Sequence, residues 1–162
     1  MTATSTSGGE PTMGWAEFYR RRDALDAVLA HLRHDPGGPI PPADTFADAD
    51  EVLLALHHRW TLKLTGPLGL ARAEADRDPG TDLVDAVTRA WWTTASAFPV
   101  LRAVLDAHRD DPALRPGVEA EQRMLALVAN LADPTGPRAE VTRVGAAFAA
   151  LIGSTAPRLA IA

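Results

Sequence analysis

Five histidines are the side chains of this sequence best suited to chemistry near neutral pH, because imidazole both binds metals and transfers protons. His31 and His34 lie three residues apart at the end of a predicted helix, where a cation complements the helix dipole. We therefore expect a capping role for both rather than a shared metal. The His-Glu-x-x-His motif and the Glu-x-x-His motif of di-iron bundles are absent from the sequence, so we expect no metal and no cofactor.

Two further histidines, His57 and His58, are adjacent in an apolar segment. At 100° per residue His57 falls beside Trp60, whereas His58 falls between Leu54 and Leu62, so both imidazoles are predicted to face packed surfaces. A buried neutral histidine usually hydrogen-bonds to a carbonyl or a carboxylate. The functional alternative is that His57 and Trp60 line a pocket.

The adjacent tryptophans Trp91 and Trp92 are the second group of candidates. Trp91 lies on the apolar stripe of its predicted helix, and with His57 and Trp60 it forms what we call the candidate pocket. Trp92 projects about 100° away, toward a more polar face. An indole in that position has to be buried against another helix, a ligand or a second subunit.

Three residues form a candidate interface, because Trp and Arg are enriched at the hot spots of protein contacts. These residues are Trp92, Arg89 on the same polar face, and Trp15 at the start of the first predicted helix. Trp15 shares an apolar stripe with Phe18 and Leu25, which predicts that this side of the helix faces the core.

The dense basic run of the sequence is Arg20-Arg21-Arg22. Arg22 lies close to the apolar stripe of its helix, one turn before Asp26, so we expect an ion pair within the helix. One turn of positive charge on a chain of net charge -5 does not make the clustered basic surface that phosphate binding requires. We expect no nucleic-acid partner.

The composition fits one globular domain that needs neither disulfides nor a metal in order to fold. A chain of 162 residues buries roughly 70% of the surface that its unfolded form exposes. The absence of cysteine excludes thiol nucleophiles, thiolate zinc sites and iron–sulfur clusters. The longest uncharged stretch, residues 144–157, is too short to span a bilayer, and the first residues lack the pattern of a secretion signal. We expect a cytoplasmic protein without membrane association.

Helical periodicity recurs along the chain, and alternating patterns typical of strands do not. The sequence therefore predicts an all-α single-domain bundle of five to seven helices over residues 13–162, after a flexible tail over residues 1–12. The helices are predicted over residues 15–34, from 48 or 50 to 65, 68–76, 82–108 and 116–132, and from beyond Pro137 to about Ile152.

Three details of this prediction concern helix boundaries and packing. Gly66-Pro67 is predicted to end the second helix, whose apolar residues fall on two sides and therefore indicate neighbours on both. Pro99 makes residues 82–108 either one kinked helix or two consecutive helices. Gly145 and the nearby alanines predict that the last helix packs very closely against another helix, and Leu159–Ile161 are expected to extend an interface.

The stretch Trp-Ala-Glu-Phe-Tyr-Arg-Arg-Arg-Asp-Ala-Leu-Asp-Ala-Val-Leu, residues 15–29, resembles small uncharacterised helical proteins of actinobacteria. Residues 58–66, His-Arg-Trp-Thr-Leu-Lys-Leu-Thr-Gly, are similar to them too. That resemblance implies no activity. Residues 91–108 resemble the ligand-binding and dimerising half of TetR-type repressors. A long helix and a Pro-rich linker stand where those proteins carry a helix-turn-helix domain, so DNA binding is not implied.

These observations favour a non-enzymatic interaction module that self-associates or binds a partner protein through the candidate interface. Such a module should expose a contiguous apolar patch around Trp92. The alternative is a small-molecule-binding bundle that uses the candidate pocket, which should then contain a cavity of roughly 300 Å³ or more. An enzyme of unrecognised type is the third alternative, because no assembled acid, base and nucleophile can be identified.

Overall fold

A computed structural model describes residues 14–155 as six α-helices and one short 3₁₀ turn. The elements are α1 (Trp15–Leu32), α2 (Ala49–Arg77), α3 (Leu83–Ala97), α4 (Pro99–Ala107), the 3₁₀ turn (Pro112–Leu114), α5 (Arg115–Val128) and α6 (Arg138–Ser154). No strand occurs within this range, and the predicted all-α bundle is confirmed. The tail predicted at residues 1–12 and the interface extension predicted at Leu159–Ile161 lie outside the described residues.

The longest helix, α2, is the centre of the fold and contacts α1, α3, α4 and α5. Its buried side chains recur at spacings of three and four residues, which places them on one face of the helix. They include Leu53, Leu56, Trp60, Leu64 and Leu68. The surrounding helices therefore pack around a single apolar face of α2.

The predicted end of the second helix at Thr65 is wrong, because α2 continues through Pro67 to Arg77. Leu64 and Leu68 are both fully buried, so the same face of the helix stays on the core before and after the proline. A proline inside a helix costs about 3 kcal/mol. Burial of two leucines contributes about 1.5–3 kcal/mol each and offsets that cost.

The segment that contains Pro99 forms two helices rather than one kinked helix. Phe98 separates α3 from α4 with φ -128° and ψ 61°, outside the helical range. A residue before proline is disfavoured in the α region, and proline itself is favoured at the first position of a helix. Pro99 therefore ends α3 and starts α4.

The expectation that α2 has neighbours on two sides is wrong. Leu54 and Leu62 are 46% and 63% exposed, and His58 between them is exposed as well. The first turns of α1 also lie outside the core, since Trp15 is 76% exposed and Phe18 is 59% exposed. The prediction that this side of α1 faces the core is therefore wrong for these two residues. Periodicity identifies an apolar face but does not say whether another helix covers it.

The helices α5 and α6 form a closely packed pair, as the small residues of the last helix predict. A Cβ atom added at Gly145 would lie 1.9 Å from the backbone oxygen of Gln122, so only glycine fits there.

The helix α5 ends at Val128 rather than at the predicted Ala132. Asn130 adopts φ 58° and the Leu131 amide donates to the Ala126 carbonyl, which is the left-handed cap that commonly ends a helix.

Candidate ligand-binding site

Glu121 of α5 lies at the centre of a buried polar cluster, with its side chain 11% exposed. Its Oε1 atom accepts a hydrogen bond from Trp60 Nε1 of α2 at 2.9 Å and a second from Trp91 Nε1 of α3 at 3.3 Å. Charge-assisted hydrogen bonds of this kind are among the stronger ones in proteins. One carboxylate thus joins three helices.

His57 of α2 faces the other oxygen of the same carboxylate, with 3.4 Å between His57 Nε2 and Glu121 Oε2. The imidazole also packs directly on the backbone of α5. A Cβ atom at position 117 would lie 2.7 Å from His57 Nδ1, so Gly117 leaves the space that this ring occupies. The position of His57 is therefore determined by both Glu121 and Gly117.

Arg102 of α4 completes the cluster. Its guanidinium carbon lies 4.5 Å from the ring centroid of Trp60 and 5.5 Å from that of Trp91, within range of a cation–π interaction. Its Nη2 atom is 2.8 Å from Asp106 Oδ1 one turn later, and its Nη1 atom is 4.0 Å from Glu121 Oε1. Asp106 and the two indoles hold the guanidinium beside the carboxylate.

The surroundings keep Glu121 ionised at neutral pH. Burial raises the pKa of Glu121, but His57, the positive charge of Arg102 and the Trp60 N–H together outweigh burial and lower this pKa below its ordinary value of 4.5. An ionised carboxylate is tolerated in such a place only when it is paired and hydrogen-bonded. The cluster is therefore a fixed arrangement of opposite charges.

A cavity of about 240 Å³ lies beside the cluster, between α3, α4, α5 and α6. This volume is somewhat below the 300 Å³ expected of a ligand site. The polar side chains of its wall are His57, Arg102, Asp106, Arg109, Glu121 and Gln122. The larger apolar ones are Trp91, Trp92, Leu105, Leu114, Val118 and Leu125. The cavity thus combines aromatic and aliphatic surface with a few convergent polar groups, as small-molecule sites do.

Two buried polar atoms of the wall residues have no hydrogen-bond partner among residues 14–155. They are Nε2 of His57 and Nη1 of Arg102, both of which face Glu121 at distances longer than a good hydrogen bond. An unpaired buried donor costs roughly 1–3 kcal/mol. Both atoms are enclosed within the packed cluster and expose almost no surface to the cavity.

The structure brings the three residues of the candidate pocket together around Glu121. His57 and Trp91 line the cavity. Trp60 is completely buried behind them and contributes its N–H to the carboxylate rather than a surface to the cavity. The expectation that His58 also faces a packed surface is wrong, because α1 does not cover that side of α2.

The three residues of the candidate interface lie in different surroundings. Trp92 stacks edge-on against Trp91, with 5.0 Å between ring centroids, and donates its indole N–H to the Ile152 carbonyl of α6 at 3.0 Å. Of the alternatives left open for Trp92, a helix of the same chain covers most of it. Arg89 is exposed on α3, and Trp15 contacts Phe18 and Tyr19 on α1.

The predicted ion pair between Arg22 and Asp26 is also wrong. Arg22 pairs with Asp23 at 3.1 Å and lies over the Tyr19 ring, whereas Asp26 pairs with Arg59 of α2. Because Arg59 reaches across from α2, Asp26 joins two helices instead of supporting one.

Sequence reasoning missed Glu121 and Arg102, the two charged residues at the heart of the site. A signal for both exists in the sequence. Glu121 falls between Val118 and Leu125 on the apolar stripe of α5, and Arg102 lies three residues before Leu105 on the stripe of α4. A charged residue on an otherwise apolar face has to find a partner of opposite charge.

Comparison with protein-family models, with curated proteins and with solved structures gives no match to this chain. Within the described part of the chain, no group of three or more His, Asp or Glu side chains is placed to hold a metal ion. None of the helices between residues 14 and 155 combines the length and the apolar character needed to cross a bilayer.

Proposed function

We propose that this protein is a non-enzymatic helical bundle that binds a small molecule in the cavity beside Glu121. The observation that carries the proposal is the cavity itself, whose wall combines the indoles of Trp91 and Trp92 with convergent polar side chains such as Arg102 and Glu121.

The size of the cavity defines the size of the ligand. An apolar cavity of about 150 Å³ holds benzene, so a cavity of about 240 Å³ has room for a single six-membered ring with one small substituent. The indoles of Trp91 and Trp92 provide aromatic edges and faces against which such a ring packs.

The charge of the wall defines the chemistry of the substituent. Arg102 and Arg109 are matched by Asp106 and Glu121, so the formal charges of the lining cancel when His57 is neutral. A net charge on the ligand would therefore be buried without a free partner. We infer an uncharged ring compound with a small polar substituent, such as an amide, that faces the polar side chains of the wall.

Three probes that share a ring and differ in charge test this inference: benzamide, benzoate and benzylamine. A ligand that binds the folded state raises the unfolding temperature, and it does so more as its concentration exceeds its Kd. We expect benzamide to raise the unfolding temperature of the protein more than benzoate or benzylamine at equal millimolar concentration. Equal shifts for the three probes, or none for benzamide, would contradict the proposal.

A matched pair of variants in α6 shows whether the shift comes from the cavity. Ala149 lines the cavity and Ala150, its neighbour, is exposed. Ala149→Leu fills part of the cavity and should abolish the benzamide shift, whereas Ala150→Leu should preserve it. A shift that survives in Ala149→Leu would assign benzamide to another site.

Self-association through the candidate interface is the second candidate function. The observation that favours it is the exposed aromatic group of Trp15, Phe18 and Tyr19 at the start of α1, since exposed aromatic clusters are frequent in protein contacts. Light scattering gives the mass in solution. A dimer that dissociates in Trp15→Ser while helical circular dichroism is unchanged would support this function.

Location in the cytoplasm belongs to the same proposal. The support for it is the composition of the sequence, which has no cysteine for disulfides. Fractionation of cells that express the tagged chain tests it.

A further inference from the structure

A second concave surface lies on the opposite face of α2 from the buried one, between α1, α2 and the start of α4. We call it the α1/α2 groove; its volume is about 1020 Å³, and none of the residues that line it lines the cavity beside Glu121. Its apolar lining includes Phe18, Leu29, Leu54, Leu62, Phe98 and Val100. This is the surface left open where α2 lacks the second neighbour that its sequence predicts.

The apolar part of the groove is long enough for about two turns of a partner helix. Leu54, His58 and Leu62 occupy successive turns of α2 along it. Leu54 and Leu62 are eight residues apart, which corresponds to about 12 Å along the helix, or roughly two turns of a partner helix. Grooves of this kind bind amphipathic helices through apolar residues spaced at i, i+4 and i+7.

The rim of the groove is positively charged, although the chain as a whole carries a net charge of -5. The charged side chains that line it are five cations and two carboxylates, namely Arg21, Arg22, Arg33, Arg59 and Lys63 against Asp26 and Glu51. Arg59 is 2.6 Å from Asp26 and Arg21 is 3.6 Å from Glu51, so both carboxylates already have a partner. The rim therefore has uncompensated positive charge that can pair with an acidic group of a partner.

Two of these cations are available for such a group. Among residues 14–155, Arg33 and Lys63 have no carboxylate within 4.0 Å. Lys63 instead lies over the Phe98 ring, with 5.0 Å between Nζ and the ring centroid. An acidic side chain near Phe98 would find this ammonium already held in place.

Residues 1–13 and 156–162 do not have the composition of an acidic amphipathic helix. Residues 1–13 contain one acidic residue, Glu10, and two large apolar residues, Met1 and Met13. Residues 156–162 contain Leu159 and Ile161 but also Arg158, and they have no acidic side chain. A symmetric contact between the grooves of two copies would bring like charges together, which is unfavourable.

We propose that the α1/α2 groove binds an acidic amphipathic helix of a partner protein. The apolar residues of the helix pack on Leu54 and Leu62, and its acidic residues pair with Arg33 and Lys63. Because the groove and the cavity share no lining residue, this proposal can be tested independently of small-molecule binding.

Two synthetic peptides of about 18 residues, long enough to form a helix in water, test the proposal. Both carry leucine at i, i+4 and i+7; one has glutamate and the other lysine at the flanking positions. Fluorescence anisotropy of the labelled peptides with the full chain gives the two Kd values. We expect the glutamate peptide to bind at least about tenfold more tightly than the lysine peptide.

Variants of exposed residues connect this binding to the groove. Leu62 and Leu70 lie on the same helix and are equally exposed, at 63% and 65%, but only Leu62 lines the groove. Leu62→Ser should weaken binding of the glutamate peptide about tenfold, and Leu70→Ser should leave it unchanged. Lys63→Glu should reduce the preference for the glutamate peptide over the lysine peptide.

Three results would overturn the proposal. The first is equal binding of the two peptides, or equal effects of Leu62→Ser and Leu70→Ser. The second is binding to phosphatidylserine vesicles that Leu62→Ser abolishes, without any peptide preference, which would assign the groove to a lipid surface. The third is a dimer mass in light scattering that Leu62→Ser reduces to a monomer mass, which would assign the groove to a second copy of the chain.

Discussion

The two sides of α2 differ in opposite ways from the usual pattern of a buried apolar face and an exposed charged face: one side buries charged groups and the other exposes apolar ones. On one side His57 is buried with Glu121 and Arg102, and charged groups are removed from water because each has a partner of opposite charge. On the other side His58 is exposed between Leu54 and Leu62, and apolar groups remain in water because no helix of residues 14–155 covers them. Adjacent residues of one helix thus belong to a closed polar cluster and to an open apolar groove.

This difference indicates where each surface finds its partner. The charges beside the cavity are satisfied within the chain, so a ligand there has to match a fixed geometry and a net charge near zero. The groove has uncompensated positive charge and uncovered leucines, so its partner has to supply both acid and apolar surface. Substitutions on the two sides should therefore differ strongly in their effects on stability.

The largest expected effect is that of Glu121→Ala. It removes the acceptor of two indole N–H groups and leaves Arg102 buried beside an uncharged side chain. Breaking a buried charge pair by removing one partner costs about 3–5 kcal/mol. Urea unfolding measures the loss, and Glu140→Ala on the exposed side of α6 is the control, with an expected change within about 0.5 kcal/mol. A similar loss for both variants would mean that the cluster contributes nothing special to stability.

The second effect concerns the α5–α6 pair, which forms one wall of the cavity. Gly145→Ala places a methyl group on the Gln122 backbone and should destabilise the fold by about 1–3 kcal/mol. Gly153 lies on the same helix, and a Cβ atom there meets no described atom within 4 Å. Gly153→Ala should therefore stabilise the fold by about 0.5–1 kcal/mol, since alanine restricts the unfolded chain. Thermal unfolding compares the two, and changes of equal sign would contradict the close approach.

The third effect is a pH dependence of folding stability that arises from Glu121 in the buried cluster and not from the groove. The pKa of Glu121 is lower in the folded chain than its ordinary value of 4.5, so its ionised form stabilises the fold above that pH. This contribution is lost as the pH falls through the folded-state pKa. We expect the wild type to lose more stability than Glu121→Gln on acidification. Asp133, whose pKa is also lowered, is present in both proteins and cancels from the comparison. Parallel curves would show that Glu121 is not held ionised by its neighbours.

The smallest effect is that of Leu62→Ser on stability. Leu62 is exposed in the groove and makes no contribution to the buried core, so the free energy of unfolding should change by no more than about 0.5 kcal/mol. Denaturant unfolding checks this value. A loss of several kcal/mol would mean that Leu62 is covered in solution and that the groove is closed within the chain.

The fold was predictable from the sequence to the extent that local rules decide it. Helical periodicity predicts every helical segment, although the prediction divides α2 in two at Gly66-Pro67 and leaves open whether residues 82–108 form one helix or two. Pro99 divides the latter segment because proline acts on the residue before it. Pro67 has the same local preference but lies between Leu64 and Leu68, whose burial keeps α2 intact. A local breaker is overridden where tertiary packing contributes more free energy.

Only part of the site was predictable from the sequence, because local patterns do not show which helices will enclose a residue. His57, Trp60 and Trp91 were identified because imidazole and indole groups stand out by residue type, and aromatic residues make up only 6% of the sequence. Glu121 and Arg102 were missed because charged residues are common, and their importance comes from the helices that enclose them. Whether the leucines beside His58 are covered depends on where α1 crosses α2, which periodicity does not specify.

The most direct test of the small-molecule site is the NMR spectrum of the indole N–H groups during a benzamide titration. The chain has four tryptophans, and each gives its own signal. Trp91 and Trp92 line the cavity, whereas Trp15 is exposed on α1. We expect the signals of Trp91 and Trp92 to shift in a saturable way while that of Trp15 stays in place. Signals of Trp91 and Trp92 that do not move, or that move no more than that of Trp15, would contradict ligand binding beside Glu121.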